Sequence, residues 1–325
     1  MPFQYISVQR EIEESLQKLP LSGKPVELYE PIRYILNVGG KRLRPLLSVL
    51  GCYLFNEQFA KALAPALAVE VFHNFTLMHD DIMDQAPLRR GKQTVHEKWS
   101  TNVAILSGDV MLVKAYELLL DVDKENLHIV IQKFNKCACE VCEGQQLDMN
   151  FETSESVSIE EYLNMIRLKT AVLLGFSLEL GAILGGADEK SAALLKNFGE
   201  SIGLGFQLKD DLLDIYGNQQ KFGKQVGGDI IANKKTYLLL KAMKDANEDQ
   251  LTALNNWLKK KEFDPEKKVA AVKNIYDQLN IKAKTQELAE NYFANSFNFL
   301  KELDIQPNRK DELIEFAEML IHRDK

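Results

Sequence analysis

The stretch "HNFTLMHDDIMDQAPLRRGK", His73 to Lys92, closes an apolar run with three aspartates and follows them with two arginines and a lysine. Upstream, apolar residues recur at three- and four-residue intervals and predict a helix over Pro65–Asp84. Asp80 and Asp84 are then one helical turn apart on a shared face, near the helix C-terminus. Like charges at that spacing, at the end of the helix dipole that disfavours anions, each cost a few tenths of a kcal/mol or more. Acids and bases this close either neutralise one another or form two halves of a site that holds something between them.

The motif has a second copy. "GFQLKDDLLDIYG" supplies Asp210, Asp211 and Asp214 in the same Asp-Asp-x-x-Asp order, again closing a predicted helix. Two such clusters facing each other inside a bundle would be costly without cations between them, because a buried unpaired charge costs several kcal/mol. Carboxylate oxygens suit hard ions, and Mg²⁺ commonly takes one or two carboxylates with phosphate oxygens and water. Solvated acidic helix ends explain one cluster easily. They explain two identical clusters, each followed by a basic loop containing glycine, poorly.

Outward from these motifs the chain reads as all-α. None of its nine prolines lies between Pro87 and Pro265, and that interval is dominated by good helix formers. Strand signatures of alternating β-branched and aromatic residues are missing. Helices are predicted at Tyr5–Leu19, Leu28–Val38, Leu43–Phe55, Pro65–Asp84, Val103–Leu120, Glu125–Asn150 and Ile159–Leu184. Further helices follow at Ser191–Tyr216, Lys234–Asp245, Asp249–Lys260, Pro265–Leu279, Ile281–Leu300 and Arg309–His322. Several central helices are apolar nearly all round, as befits the middle of a large bundle with a deep apolar cavity. No long linker, repeat or low-complexity run divides the chain, so residues 1–325 are expected to form a single domain.

Composition narrows the function. Forty-seven acids against 40 bases give a net charge of −7, which argues against a nucleic-acid protein. The N-terminal residues lack a basic region followed by an apolar one, so no targeting peptide is expected, and the location expected is cytoplasmic. The most apolar segment, Ala171–Ala187, is interrupted by Glu179 and falls short of the about 18 uninterrupted residues of a membrane span, so it is read as a core helix. Cys137, Cys139 and Cys142 lie close together, but a zinc site would need a further ligand cluster that the sequence lacks. They are read as reduced thiols.

Three basic loops complete the pattern. "GGKRLRP" offers Lys41, Arg42 and Arg44; "PLRRGK" offers Arg89, Arg90 and Lys92; "KFGKQVGGDIIANKK" offers Lys221, Lys224, Lys234 and Lys235. Arg forks match phosphate geometry and Lys acts as a point charge. The economical reading is two diphosphates, one bridged by Mg²⁺ and one held directly by bases.

In this order, "GGKRLRP", "HDDIMD…LRRGKQTVH", "EGQQLD", "RLKTA", "GFQLKDDLLD" and "FGKQVGGDI…NKKT" resemble the motifs of the trans-isoprenyl (polyprenyl) diphosphate synthases. The resemblance spans Gly39 to Thr236 and implies a helical isoprenoid-synthase fold, a central apolar pocket and a homodimer. It implies that Asp80, Asp81, Asp84, Asp210, Asp211 and Asp214 hold Mg²⁺, three ions with substrate bound. Gly40, Lys41, Arg44, His73 and Arg90 match the isopentenyl diphosphate site. Arg89, Lys169, Thr170, Gln207, Lys224 and Lys234 match the allylic diphosphate site. Gln93 and Gln225 stand where the family often has Pro, and Asn233 where it often has Gly.

The implied reaction is ionisation of the allylic diphosphate, attack by the isopentenyl double bond and loss of a proton to the departed diphosphate. Dipoles of the Lys169 and Thr170 carbonyls and of Gln207 would stabilise the allylic cation. Phe75, five residues before Asp80, matches the position whose bulk forms the floor of the cavity, with Thr76 beside it and Phe72 on nearly the same face. With the two-residue spacer of "DDIMD" this resembles geranylgeranyl-type enzymes, with farnesyl-type next. A class I terpene cyclase would not need the "GGKRLRP" loop. A metal phosphohydrolase built on His73, His79 and Asp80 would not need the second aspartate motif. A non-catalytic partner subunit should have lost ligands, and none is lost.

Overall fold

The computed structural model describes residues 3–217 and 227–321. The described residues are all-α apart from one very short hairpin. Helices α1 (Tyr5–Gln17), α2 (Val26–Leu36) and α3 (Leu43–Tyr53) lead through a 3₁₀ turn to α4 (Leu63–Met83). After the hairpin come α5 (Val95–Lys98), α6 (Thr101–Leu119), α7 (Lys124–Thr153), α8 (Ile159–Ile166), a π turn (Arg167–Ala171), α9 (Val172–Gly185) and α10 (Glu189–Tyr216). The remainder is α11 (Gly228–Ile231), α12 (Tyr237–Asp245), α13 (Glu248–Lys259), α14 (Pro265–Gln278), α15 (Ile281–Glu302) and α16 (Pro307–Ile321). Each helix expected from periodicity has a counterpart. The expected run Ile159–Leu184 is α8 and α9 joined through the π turn.

The hairpin pairs Leu88 with Gln93 and Arg89 with Lys92. Its two turn residues, Arg90 and Gly91, both have positive φ, 53° and 76°, as a type I′ turn requires. Strands of two residues are too short to show alternation, so the sequence gives no sign of them.

Contacts divide the chain into two compact units. The first is Met1–Cys137, Leu173–Lys196 and Leu303–Glu312; the second is Ala138–Val172, Asn197–Glu302 and Leu313–Lys325. Four of the divisions fall inside α7, α9, α10 and α16 rather than in linkers.

In the first unit α4 packs along α6 and α3. An aromatic series joins Phe72 to Phe134 (5.2 Å) and Phe134 to Phe176 (5.8 Å). Helices α3 and α9 touch backbone to backbone: a Cβ on Gly181 would stand 2.1 Å from the Ser48 carbonyl oxygen. The run Ile159–Gly185 is long and apolar enough to cross a membrane, yet Glu179 within it is buried and takes a 2.7 Å bond from Lys133. That pairing identifies α9 as a core helix whose one charge is satisfied internally.

The second unit has its own core, gathered from Leu212, Ile215, Leu238, Leu254, Ile275 and Tyr276. Local signals start its helices. Ser158 and Glu161 form a capping box on α8, Asn247 and Gln250 another on α13, and Asp264 caps α14 with Pro265 in its first turn.

Candidate active site

The residues singled out by the sequence fall into two sets, one in each unit. In the first unit, α4 ends with Asp84 as its C-cap. Asp80 is half-buried and Asp84 exposed, whereas Asp81 is buried. Asp81 is gripped by Arg89, whose Nε lies 2.8 and 2.9 Å from its two oxygens and whose Nη2 lies 2.7 Å away. Arg89 Nη2 also reaches Asp80 at 3.5 Å. Arg89 therefore neutralises Asp81 and leans on Asp80, and Asp84 is the exposed aspartate of the three.

The next residue goes elsewhere. Arg90, at the turn, lays its guanidinium on Gly40: a Cβ there would stand 2.4 Å from Nη1. Gly40, at φ 157°, leaves that space open to the guanidinium. Arg44 Nη1 lies 3.1 Å from His73 Nε2. Burial pushes Arg44 down to about 10, so it stays cationic at neutral pH. Burial, with Arg44 and Arg90 beside it, holds His73 well below the usual histidine range. A neutral His73 accepts from Arg44 through Nε2, which leaves the proton on Nδ1 as a donor. The Arg44 Nε is buried with no hydrogen-bond partner. Lys41 is exposed, and its carbonyl accepts from Gln9 at 3.0 Å.

The third base of that loop has a different job. Arg42, with φ 49°, turns inward to Glu70 at 2.7 Å, Glu13 at 2.9 Å and the Leu36 carbonyl at 2.5 Å. Asn74 supports Glu70 with a 3.0 Å bond. Glu13, Glu70 and Asn74 anchor the loop, and the sequence reading did not single them out. On α4, Phe75 is flanked by Phe72 (5.7 Å) and His79 (4.7 Å), and the Thr76 hydroxyl donates to the His73 carbonyl at 2.8 Å.

In the second unit Asp210 is exposed, Asp214 half-buried and Asp211 buried. Asp211 accepts from the Tyr162 hydroxyl and from Gln207 Nε2 at 3.2 Å. Burial pushes its carboxyl up to about 7, against the pull of the Tyr162 bond. Because Gln207 presents its NH₂ to this carboxyl group, its carbonyl end faces the other way. Asp214 accepts from the Asp229 N–H at 2.9 Å, tying α10 to the start of α11. The two motifs share one design: one outer aspartate exposed, the other half-buried, and the middle one held inward.

Lys169 and Thr170 sit in the π turn, which carries one residue more than α geometry and loosens the carbonyl ladder there; such turns are frequent at functional sites. The turn rests on α7, where a Cβ on Gly144 would stand 2.2 Å from the Lys169 nitrogen. Lys169 Nζ lies 2.6 Å from Asp148. Gly144 and Asp148 both belong to "EGQQLD", so that motif shapes and orients the turn. Lys234 is exposed; Lys235 donates to the Phe151 carbonyl at the end of α7. Lys221, Lys224 and Gln225 lie outside the described residues.

Among the described residues no group of three or more His, Cys, Asp or Glu side chains could hold a metal by itself. Paired outer carboxylates fit Mg²⁺ that completes its shell with phosphate and water, and do not fit an all-protein cage. The chemistry available is anion binding by bases and neutral His73, with carbonyl dipoles at the π turn and Gln207. Among these residues there is no nucleophile beside a general base.

Residues 25–278 match the family model described as polyprenyl synthetase. The chain is 39% identical over 315 residues to the geranylgeranyl pyrophosphate synthase of Geoglobus acetivorans, covering 96% of each. It is 42% identical over 245 residues to a short chain isoprenyl diphosphate synthase of Methanocaldococcus jannaschii, covering 75% of this chain and 74% of that one. A crystal structure of a geranylgeranyl pyrophosphate synthase superposes with a TM-score of 0.94 at 44% identity, over 99% of this chain and 100% of the other.

Proposed function

The chain belongs to the polyprenyl synthetase family, and we propose that it condenses isopentenyl diphosphate with an allylic diphosphate (dimethylallyl, geranyl or farnesyl) to give geranylgeranyl diphosphate. It is a trans-prenyltransferase. The observation that carries the product assignment is similarity over nearly the whole chain to geranylgeranyl diphosphate synthases.

Bound Mg²⁺ supplies neutralisation of the leaving diphosphate. Asp80, Asp84, Asp210 and Asp214 are the carboxylates that would hold it; Asp81 and Asp211 hold Arg89 and Gln207 in place. Lys41, Arg44, Arg90 and the Nδ1–H of His73 bind isopentenyl diphosphate, with Gly40 admitting Arg90. Lys234, Lys224, Lys169 and the Nη1 of Arg89 bind the allylic diphosphate. Carbonyl oxygens of Gln207, Lys169 and Thr170 face the allylic cation. The departed diphosphate takes the proton. Phe75, braced by Phe72 and His79, limits the tail, with Thr76 beside it.

A homodimer is part of the proposal. Leu106 and Val113 on α6 and Leu120 at its C-cap recur every seven residues and are 57%, 56% and 63% exposed. That repeat suits pairing with the same helix of a second copy. All four cysteines are free thiols, which suits a reducing cytoplasm.

The test is incubation with labelled isopentenyl diphosphate, each allylic diphosphate and Mg²⁺, followed by chromatography. A C20 product that disappears on chelation is expected. A C15 product would reassign the enzyme to farnesyl diphosphate synthesis, and no longer prenyl product at all would refute the proposal.

A further inference from the structure

Lys268, on α14, is a lysine with 0% of its surface exposed. Its ammonium donates to Asn233 Oδ1 at 2.6 Å and to the Ile231 carbonyl at 3.1 Å, and it lies 4.1 Å from the Phe263 ring centre. None of these partners is a carboxylate. Burying an ammonium without a counter-ion is costly, and an apolar chain would fill the same space more cheaply. Packing therefore does not account for the charge.

What the charge holds is the segment 227–236. At its start the Gly227 N–H donates to the Asp214 carbonyl at 2.7 Å and the Asp229 N–H to the Asp214 side chain. At its other end Ile231 closes α11, and Lys268 donates to its carbonyl. Asn233 follows at φ 55°, a conformation Asn tolerates better than most side chains. Its amide donates to the Leu258 carbonyl at 3.0 Å while its oxygen accepts from Lys268. Lys234 comes next, its N–H on the Asp229 carbonyl at 2.8 Å. The backbone that presents Lys234 is thus clamped by Asp214 on one side and by Lys268 with Asn233 on the other.

We propose that Lys268 is a positioning residue for allylic diphosphate binding: through Asn233 and the Ile231 carbonyl it sets the backbone from which Lys234 reaches the phosphate. The proposal rests on Lys234 binding that diphosphate. It also gives the departure from glycine at 233 a purpose, because glycine would supply the backbone angle without the latch.

The test is steady-state kinetics of Lys268→Met and Asn233→Gly, with melting curves of each. Lys268→Met should raise KM for the allylic diphosphate roughly tenfold, the size of one charge-assisted hydrogen bond, with KM for isopentenyl diphosphate unchanged. Its melting point should stay within a few degrees of the parent, since relief of ammonium burial offsets the two acceptors left bare. Asn233→Gly should raise the same KM by less. Equal changes in both KM values, or none, would overturn the proposal. If Lys268→Met does not fold, an unchanged allylic KM in Asn233→Gly overturns it instead. A parent protein that makes no prenyl product would refute the prenyltransferase reading; an active parent with indifferent variants refutes only the role of Lys268.

Discussion

Arg42 carries a full charge to a position only 3% exposed, and its chemistry is decided by the acceptors that meet it there. Glu70 is the buried one. Replacing Glu70 with Ala leaves the guanidinium with Glu13 and one carbonyl, and breaking a buried pair costs about 3–5 kcal/mol. Urea denaturation of Glu70→Ala should register that loss, and a variant as stable as the parent would remove Arg42 from the framework. His73 makes a second prediction. Its folded pKa lies below the ordinary 6.5. Above that value both folded and unfolded chains carry a neutral ring and its stability contribution is complete. As pH falls below it the unfolded chain takes a proton that the folded chain refuses, so stability is lost. Between pH 7.5 and 5.5 the parent should therefore lose more stability than His73→Gln, in denaturant midpoints measured at each pH. Nothing in "GGKRLRP" distinguishes Arg42 from its neighbours. The bases were legible as a group, but their division into anchor and ligand depends on a positive φ and on glutamates far away in sequence.

The π turn shows what periodicity reads and what it misses. The apolar pattern from Ile159 to Leu184 continues smoothly across it, and one extra residue in the middle alters the phase too little to register. The motif "RLKTA" marked the place; the wide turn there, and its dependence on Gly144, emerge only when α7 lies against it. Gly144→Ala must push that contact apart. It should lower the melting point, by the about 1–3 kcal/mol typical of overpacking. It should also reduce kcat by on the order of 10²-fold, the effect of displacing a reacting group by about an ångström. A variant with full kcat would show that the π turn tolerates movement. The hairpin was illegible for a different reason: its strands are shorter than the pattern used to find strands. Its consequence for the site is large, because it sends Arg89 to Asp81 and Arg90 to Gly40.

Across the molecule, the helical class and the two aspartate motifs were legible because long apolar helices and repeated carboxylates leave strong patterns. The inward turn of Asp81 and Asp211 was not, since Arg89 and Tyr162 reach them from other elements. We expect the chain to melt in one cooperative transition, because α7, α9 and α10 each contribute to both compact units. Calorimetry that resolved two transitions would divide the proposed single domain. Leu106→Glu combined with Val113→Glu should convert the proposed dimer to monomer in sedimentation velocity, without change in helix content. The interleaving has a consequence for how such a protein can be cut or inherited. The chain changes unit at 137/138, 172/173, 196/197, 302/303 and 312/313. No single nick releases either unit whole and alone, and no contiguous gene segment encodes just one of them. Neither unit can therefore be cut out or exchanged as one contiguous piece of the chain.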